Sequence, residues 1–242
     1  MTQHGPIAEL RAFVTAALVQ PVERKHWDPP QVFRRRQIVV ILTLIVGSGV
    51  LAWALRITPG DPLFYLATLL LAAIWVVGAL ASGPLHAGMG HTRRGDRQAR
   101  PIVQSLVLGL LLLLIFLLGA LAVARIPVLR EPVEQLLDHA RVGSFSVVLG
   151  ITFLNGIAEE LYFRGALYAA LPRYQVLVTT VLYALTTVGS GIPLLVLAAA
   201  LIGLVTALQR RVTGGFLGPM ITHVTWSTGM LLLLPPVLSL AR

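Results

Sequence analysis

The chain has 242 residues, of which 56% are apolar and only 12% are charged, with a mean hydropathy of +0.82. A soluble domain carries about 25% charged residues, so lipid is the main solvent. About seven spans of roughly 20 residues each leave too little chain for a separate soluble domain of ordinary size. Cysteine is absent, which excludes disulfides, thiolate metal sites and cysteine nucleophiles, and the net charge of +9 has to be read by position in a membrane chain.

Residues 1–36 are polar and basic. Within them Ile7, Leu10, Val14, Ala17 and Leu18 recur at helical spacing, leaving an interfacial amphipathic helix or a frayed tail as the two readings. The first long apolar run follows Arg34-Arg35-Arg36 and is too long for a signal-peptide core, so an uncleaved anchor is expected. Apolar helices are predicted near 37–55, 62–83 and 101–124, over a longer stretch of about 143–170, then at 175–189, 192–209 and 215–234. Pro59-Gly60, Gly83-Pro84, Pro101, Gly189-Ser190-Gly191 and Gly214-Gly215 separate these runs, Pro172 ends the fourth, and Pro235-Pro236 is expected to close the seventh. The segment 127–141 holds Glu131, Glu134, Asp138, His139 and Arg141 and is too charged to span; it is expected to lie on the surface as a short amphipathic helix. Trp53 and Trp75 read as ordinary membrane aromatics.

The chain order therefore predicts an all-α polytopic membrane bundle of about seven transmembrane helices. Its parts are a basic N-terminal segment (1–36), an N-terminal set of helices with the external amphipathic segment (37–142), and a C-terminal core (143–242). With the N-terminus inside, the inside segments hold 13 of the 19 basic residues, among them Arg24, Lys25, Arg93, Arg94, Arg173, Arg210 and Arg211. The outside segments hold five (Arg56, Arg125, Arg130, Arg141 and Arg242), and Arg164 lies within the fourth helix. This asymmetry favours N-in and C-out in a plasma membrane. Topology and lipid headgroups account for the basic charge, so no nucleic-acid partner is expected; membrane lipid is.

The fourth helix reads Asn155-Gly156-Ile157-Ala158-Glu159-Glu160-Leu161-Tyr162-Phe163-Arg164-Gly165. Each charge at such depth costs at least ~2.5–3.5 kcal/mol and normally faces a partner or a wet cavity. Glu160 and Arg164, at i and i+4, are spaced to pair. Glu159 is rotated by about 100° from Glu160, on a stripe with Asn155, Tyr162 and Phe163, which leaves it available as a general base or metal ligand. The bland alternative is a closed structural charge network. The seventh span carries His223 and Ser227 on one face. His223 and Glu159 stand at similar distances, roughly 18 and 21 Å along their helices, from the inside loops, so they meet if the two helices are neighbours.

The string Glu159-Glu160-Leu161-Tyr162-Phe163-Arg164-Gly165 resembles the EExxxR motif of the CPBP intramembrane proteases. That group includes the type II CAAX prenyl proteases and bacteriocin-processing or self-immunity proteins. Gly214 to His223 is similar to the family's last motif region, HxxxN or HxxxD, and the resemblance covers about residues 143–234. It implies a helical bundle with a buried cavity in which peptide bonds are hydrolysed, the substrate being a peptide or membrane protein. Carried over, Glu159 would activate water, Glu160 and Arg164 would support it, and His223 would bind metal or stabilise the oxyanion. The implied cofactor is a divalent metal, zinc first, held by Glu159 and His223, or none.

Two positions depart from the family pattern. The place of its FxxxH motif is Tyr183-Ala184-Leu185-Thr186-Thr187, with threonine where histidine is expected, and the last motif ends in Ser227. Threonine offers no imidazole lone pair, so a divalent site loses a strong ligand. Thr187 and Ser227 are instead expected to line the cavity, and Asn155 offers at most a weak oxygen ligand. Tyr162, Phe163, Tyr183 and Trp226 read as packing residues. An intramembrane endopeptidase and a catalytically silent relative acting as scaffold or chaperone both remain open. A polar-solute carrier is disfavoured by the lack of an inverted repeat.

Overall fold

The computed structural model describes residues 5–23, 28–92, 97–142 and 144–240. Arg24, Lys25, Arg93, Arg94 and Arg242 of the charge asymmetry lie outside the described residues. Helix α1 (Pro6–Val14) runs on into a π-helical turn, Thr15–Val19. It is followed by α2 (Pro30–Ala54) and α3 (Leu63–Ser82). A two-residue antiparallel pairing of β1 (Gly90–His91) with β2 (Gln98–Ala99) separates α3 from α4 (Ile102–Val123). Next come α5 (Pro127–Val142) and α6 (Phe145–Glu160); the latter passes into a π-helical segment, Leu161–Leu167, and a last turn, α7 (Tyr168–Ala170). The chain then forms α8 (Gln175–Thr187), α9 (Pro193–Thr213) and α10 (Leu217–Leu240).

Six of the described helical units are long and apolar enough to cross a membrane: α2, α3, α4, the continuous Phe145–Ala170, α9 and α10. Gln175–Ser190 is a shorter apolar helix, which supplies the short fifth member of the series. The chain is thus an all-α, multi-pass integral membrane protein. Its lipid-facing surface is a belt of exposed Ile, Leu and Val side chains such as Ile41, Ile45, Leu66, Leu70, Leu110, Leu114 and Leu118, as expected where the surrounding solvent is hydrocarbon.

The helices pack as neighbours α2 with α3, α8 with α9, and α4 with α10, while α6 lies between α3 and α10. Small residues set the closest approaches, as they do where backbones must come together in lipid. A Cβ at Gly229 of α10 would stand 2.3 Å from the Leu113 side chain of α4, and one at Gly47 of α2 would stand 2.3 Å from the Trp75 ring of α3. Trp75 is 1% exposed and stacks on Tyr162 of the π-helical segment, centroids 4.5 Å apart. It is therefore a central core residue rather than an ordinary membrane aromatic. The Tyr162 hydroxyl donates to the Val40 carbonyl at 2.5 Å, tying the same segment to α2.

Two boundaries differ most from the sequence expectation, besides the end of α9, which extends past 209 to Thr213 and puts Arg210 and Arg211 on the helix. The first span starts at Pro30, before the arginine triplet, because a proline in the first turn is pre-organised for a helix and needs no N–H partner. Arg36 then lies on the helix, is 1% exposed, and donates to Asp28 (2.7 Å), Ser82 (3.3 Å) and the Pro84 carbonyl (3.0 Å). It fastens α2 to the end of α3 and is not a headgroup contact. The second difference is that α10 runs through Pro235-Pro236 to Leu240. Proline removes a backbone donor and crowds the preceding turn. That cost is offset here by burial beyond it: Leu238 is 1% exposed against Ala120, Ala124 and Leu137 of the α4–α5 region.

Candidate active site

The Glu-Glu-x-x-x-Arg string straddles the point where α6 changes winding. Glu160 is the last α-helical residue, and Leu161–Leu167 follow with the wider π spacing. Such insertions are uncommon and concentrate at functional sites. The backbone carbonyl of Arg164, within the wide turn, accepts a 2.6 Å hydrogen bond from Nε of Arg210 on α9, so a side chain from a neighbouring helix props the irregular segment.

Glu160 and Arg164 are both fully buried and pair at 2.9 Å between Oε1 and Nη1, as their i, i+4 spacing predicts. Nη2 of Arg164 donates to the Gly203 carbonyl of α9 at 3.1 Å, and its guanidinium lies over the Tyr183 ring, 4.7 Å from the centroid. Gly203 permits this approach, since a Cβ there would meet the Tyr183 ring at 3.2 Å.

His223 of α10 is 4% exposed and reaches this pair. Its Nδ1 lies 2.8 Å from Oε1 of Glu160. A carboxylate only accepts, so Nδ1 is the donor of this contact, and in the neutral imidazole Nε2 is then the lone-pair nitrogen. Nε2 points to Oε2 of Glu159, 4.0 Å away. The imidazole therefore does meet the acidic pair, but its direct hydrogen bond goes to Glu160 and not to Glu159. Glu159 keeps 18% of its side chain exposed. Its Oε2 accepts from the Tyr183 hydroxyl of α8 at 2.5 Å.

The remaining sequence candidates are placed differently. Asn155 donates to the Thr68 carbonyl of α3 (3.3 Å) and to Ile151 (3.0 Å), so its amide is turned to the α3 interface. The Thr187 hydroxyl is engaged with the Ala184 carbonyl at 2.8 Å. Ser227 makes a long contact to the Val224 carbonyl (3.4 Å) and sits against Gly156 of α6. Among the described residues none of these three is hydrogen-bonded to Glu159 or His223, so none stands as a ligand beside them. Sequence reasoning placed Tyr183 among the packing residues. The available signal was its position, four residues before Thr187, at the start of the altered FxxxH motif.

A divalent ion finds a poor donor set. Zinc in catalytic sites takes three protein ligands, but only Glu159 and His223 Nε2 face each other here: Glu160 Oε1 is shared by Arg164 and His223, and its Oε2 is buried with no partner among the described residues. Among the described residues no group of three His, Cys, Asp or Glu side chains is arranged to hold a metal. The residues present do not fit the implied zinc. A cavity of about 650 Å³ opens at the arginine-rich end of the bundle, lined by Arg36, His86, Arg100, Gln175 and Arg210. It reaches up to Gly165, the residue after Arg164, and does not include Glu159 or His223.

Residues 141–229 match the family model described as type II CAAX prenyl endopeptidase Rce1-like. The match spans α6, the π-helical segment, α8, α9 and the His223 region of α10, and agrees with the family read from the Glu159–Gly165 string. No curated protein and no solved structure gives a match to the chain.

Proposed function

We propose that the protein is an intramembrane peptide hydrolase of the CPBP type in which Glu159 and His223 activate one water without a metal. The 4.0 Å separation of Glu159 Oε2 and His223 Nε2 carries this reading. Both atoms are acceptors, and one water oxygen at about 2.7–2.8 Å from each would direct its two hydrogens to them and keep its lone pairs for attack. Glu160 holds the imidazole in the required tautomer, much as the acid of a catalytic triad orients its histidine. Arg164 in turn fixes Glu160. Glu159 takes the proton from the attacking water and returns it to the departing amine as the C–N bond breaks, the ordinary task of a general base that becomes a general acid.

The substrate class is a peptide segment brought into the membrane, in keeping with the matched family's name. The test uses purified protein in liposomes with two quenched fluorogenic probes, a farnesylated peptide and an unlipidated transmembrane peptide. The wild type is expected to cleave at least one of them. Glu159→Gln and His223→Ala are expected to lower kcat by about 10²–10⁴-fold, the usual worth of a general base. Absence of turnover on both probes, or equal rates in wild type and Glu159→Gln, overturns the proposal in favour of a silent scaffold. That second reading is favoured by the loss of the family histidine at Thr187, whose hydroxyl is engaged with backbone.

A further inference from the structure

The water-activating pair leaves one requirement unmet. Attack on a peptide carbonyl puts negative charge on its oxygen, and this charge needs a hydrogen-bond donor. In the neutral tautomer that accepts from the water, the proton of His223 is on Nδ1 and is held by Glu160. Nη1 and Nη2 of Arg164 are engaged with Glu160 and Gly203. Glu159 is an acceptor. The hydroxyl of Tyr183 is the donor that already touches the group at the centre of the chemistry, 2.5 Å from Glu159 Oε2.

Resting on the hydrolase reading above, we propose that Tyr183 is a catalytic residue whose hydroxyl donates to the oxyanion of the tetrahedral intermediate.

The geometry supports a fixed donor. The Tyr183 ring is 7% exposed. It stands edge-on to Phe163, centroids 4.8 Å apart, beneath the Arg164 guanidinium and against Gly203. The ring is therefore clamped on three sides while its hydroxyl projects to Glu159. Charge movement then does the switching. In the resting site the negative charge is on the Glu159 carboxylate, and the phenol donates to it. As the water oxygen bonds to the carbonyl carbon, its proton passes to Glu159 and the charge passes to the carbonyl oxygen. A neutral carboxyl is the poorer acceptor, so the phenol's hydrogen bond transfers to the oxyanion. When the C–N bond breaks, the oxyanion collapses to the new carboxyl, the proton on Glu159 goes to the amine nitrogen, and the phenol returns to Glu159. The tyrosine proton never leaves its oxygen, so the cycle balances with water as the sole co-reactant. The interaction is stronger in the transition state than before it, which is the condition for raising kcat.

The test is Tyr183→Phe in liposomes, with whichever quenched peptide the wild type cleaves and with Glu159→Gln as the reference for a dead site. The ring contacts to Phe163, Arg164 and Gly203 are retained in this variant. The expected result is a loss of about 10²–10³-fold in kcat, the worth of one oxyanion donor, with KM unchanged. A second measurement is direct binding of a phosphinate analogue of the same peptide, whose tetrahedral oxygens imitate the intermediate. Its affinity is expected to fall by the same factor as kcat/KM. Wild-type kcat in Tyr183→Phe alongside an inactive Glu159→Gln overturns the tyrosine's role and leaves the hydrolase reading standing. Unchanged phosphinate affinity overturns it in the same way. A wild type that is no faster than Glu159→Gln overturns both.

Discussion

Removing the Arg164 guanidinium while leaving Glu160 in place tests how the buried charges hold the bundle. Glu160 is fully buried, with Arg164 Nη1 at 2.9 Å and His223 Nδ1 at 2.8 Å on the same oxygen and, among the described residues, no partner on the other. Arg164→Met keeps the length and apolar stem but strands a carboxylate with one imidazole donor, and also leaves the Gly203 carbonyl to the more distant Thr206 hydroxyl at 3.3 Å. Breaking a buried pair in this way costs about 3–5 kcal/mol, or about 10²–10⁴ in the folded-to-unfolded ratio. The measurement is unfolding in mixed micelles titrated with a denaturing detergent. Glu160→Gln in the Arg164→Met background removes the stranded charge while its amide oxygen still accepts from His223, and is expected to recover most of the loss. A single variant within about 1 kcal/mol of wild type, or a double variant no better than the single, would refute the view that the arginine compensates a buried charge.

Three further outcomes are expected. Turnover of the wild type in liposomes should be unaffected by a strong chelator, because two facing donors do not make a zinc site; loss of activity with restoration by stoichiometric zinc would contradict this. Gly229→Val forces a side chain into Leu113 and should lower stability by about 1–3 kcal/mol, the range for an overpacked contact, as read by detergent unfolding. Trp75→Ala opens the space shared by Gly47, Tyr162 and Phe163 and should cost about 3–5 kcal/mol. A loss below that of Gly229→Val would show that the Trp75 cluster is not the centre of the core.

Much of this arrangement is legible in the residue order. The apolar runs mark the spans, since a run of about 20 apolar residues crosses lipid as a helix that satisfies its own backbone. Gly83 and Gly214, with φ of +134° and +67°, end α3 and α9 where a left-handed or otherwise strained residue is needed. The Glu160–Arg164 pair follows from helical spacing alone, and the similar heights of Glu159 and His223 follow from rise per residue. Which carboxylate takes the imidazole does not follow, because spacing along α6 does not say from which side α10 packs against it. The role of Tyr183 is equally hidden: an aromatic ring beside other aromatics reads as packing, and its hydroxyl acquires meaning only once α8 is seen beside α6. Proline at 235 and 236 reads as a stop, yet tertiary burial of Leu238 overrides it.

The stretch after α3 has a bearing on the far end of the chain. His86 and Ala87 accept from the backbone of Phe216 and Leu217, and Met89 donates to Thr213 (3.0, 3.1 and 2.9 Å). These strands of backbone touch so closely that a methyl group at Gly215 would fall 2.1 Å from Ala87, and one at Gly88 would fall 2.5 Å from Gly215. Nothing bulkier than hydrogen fits, so the first turn of α10 is clipped in one register, with His223 less than two turns beyond it. One inserted residue between the clip and His223 would swing the imidazole by about 100° and carry it about 1.5 Å along the axis, out of reach of Glu160. A glycine-to-glycine crossing with no chemistry of its own is thus the alignment peg for the imidazole.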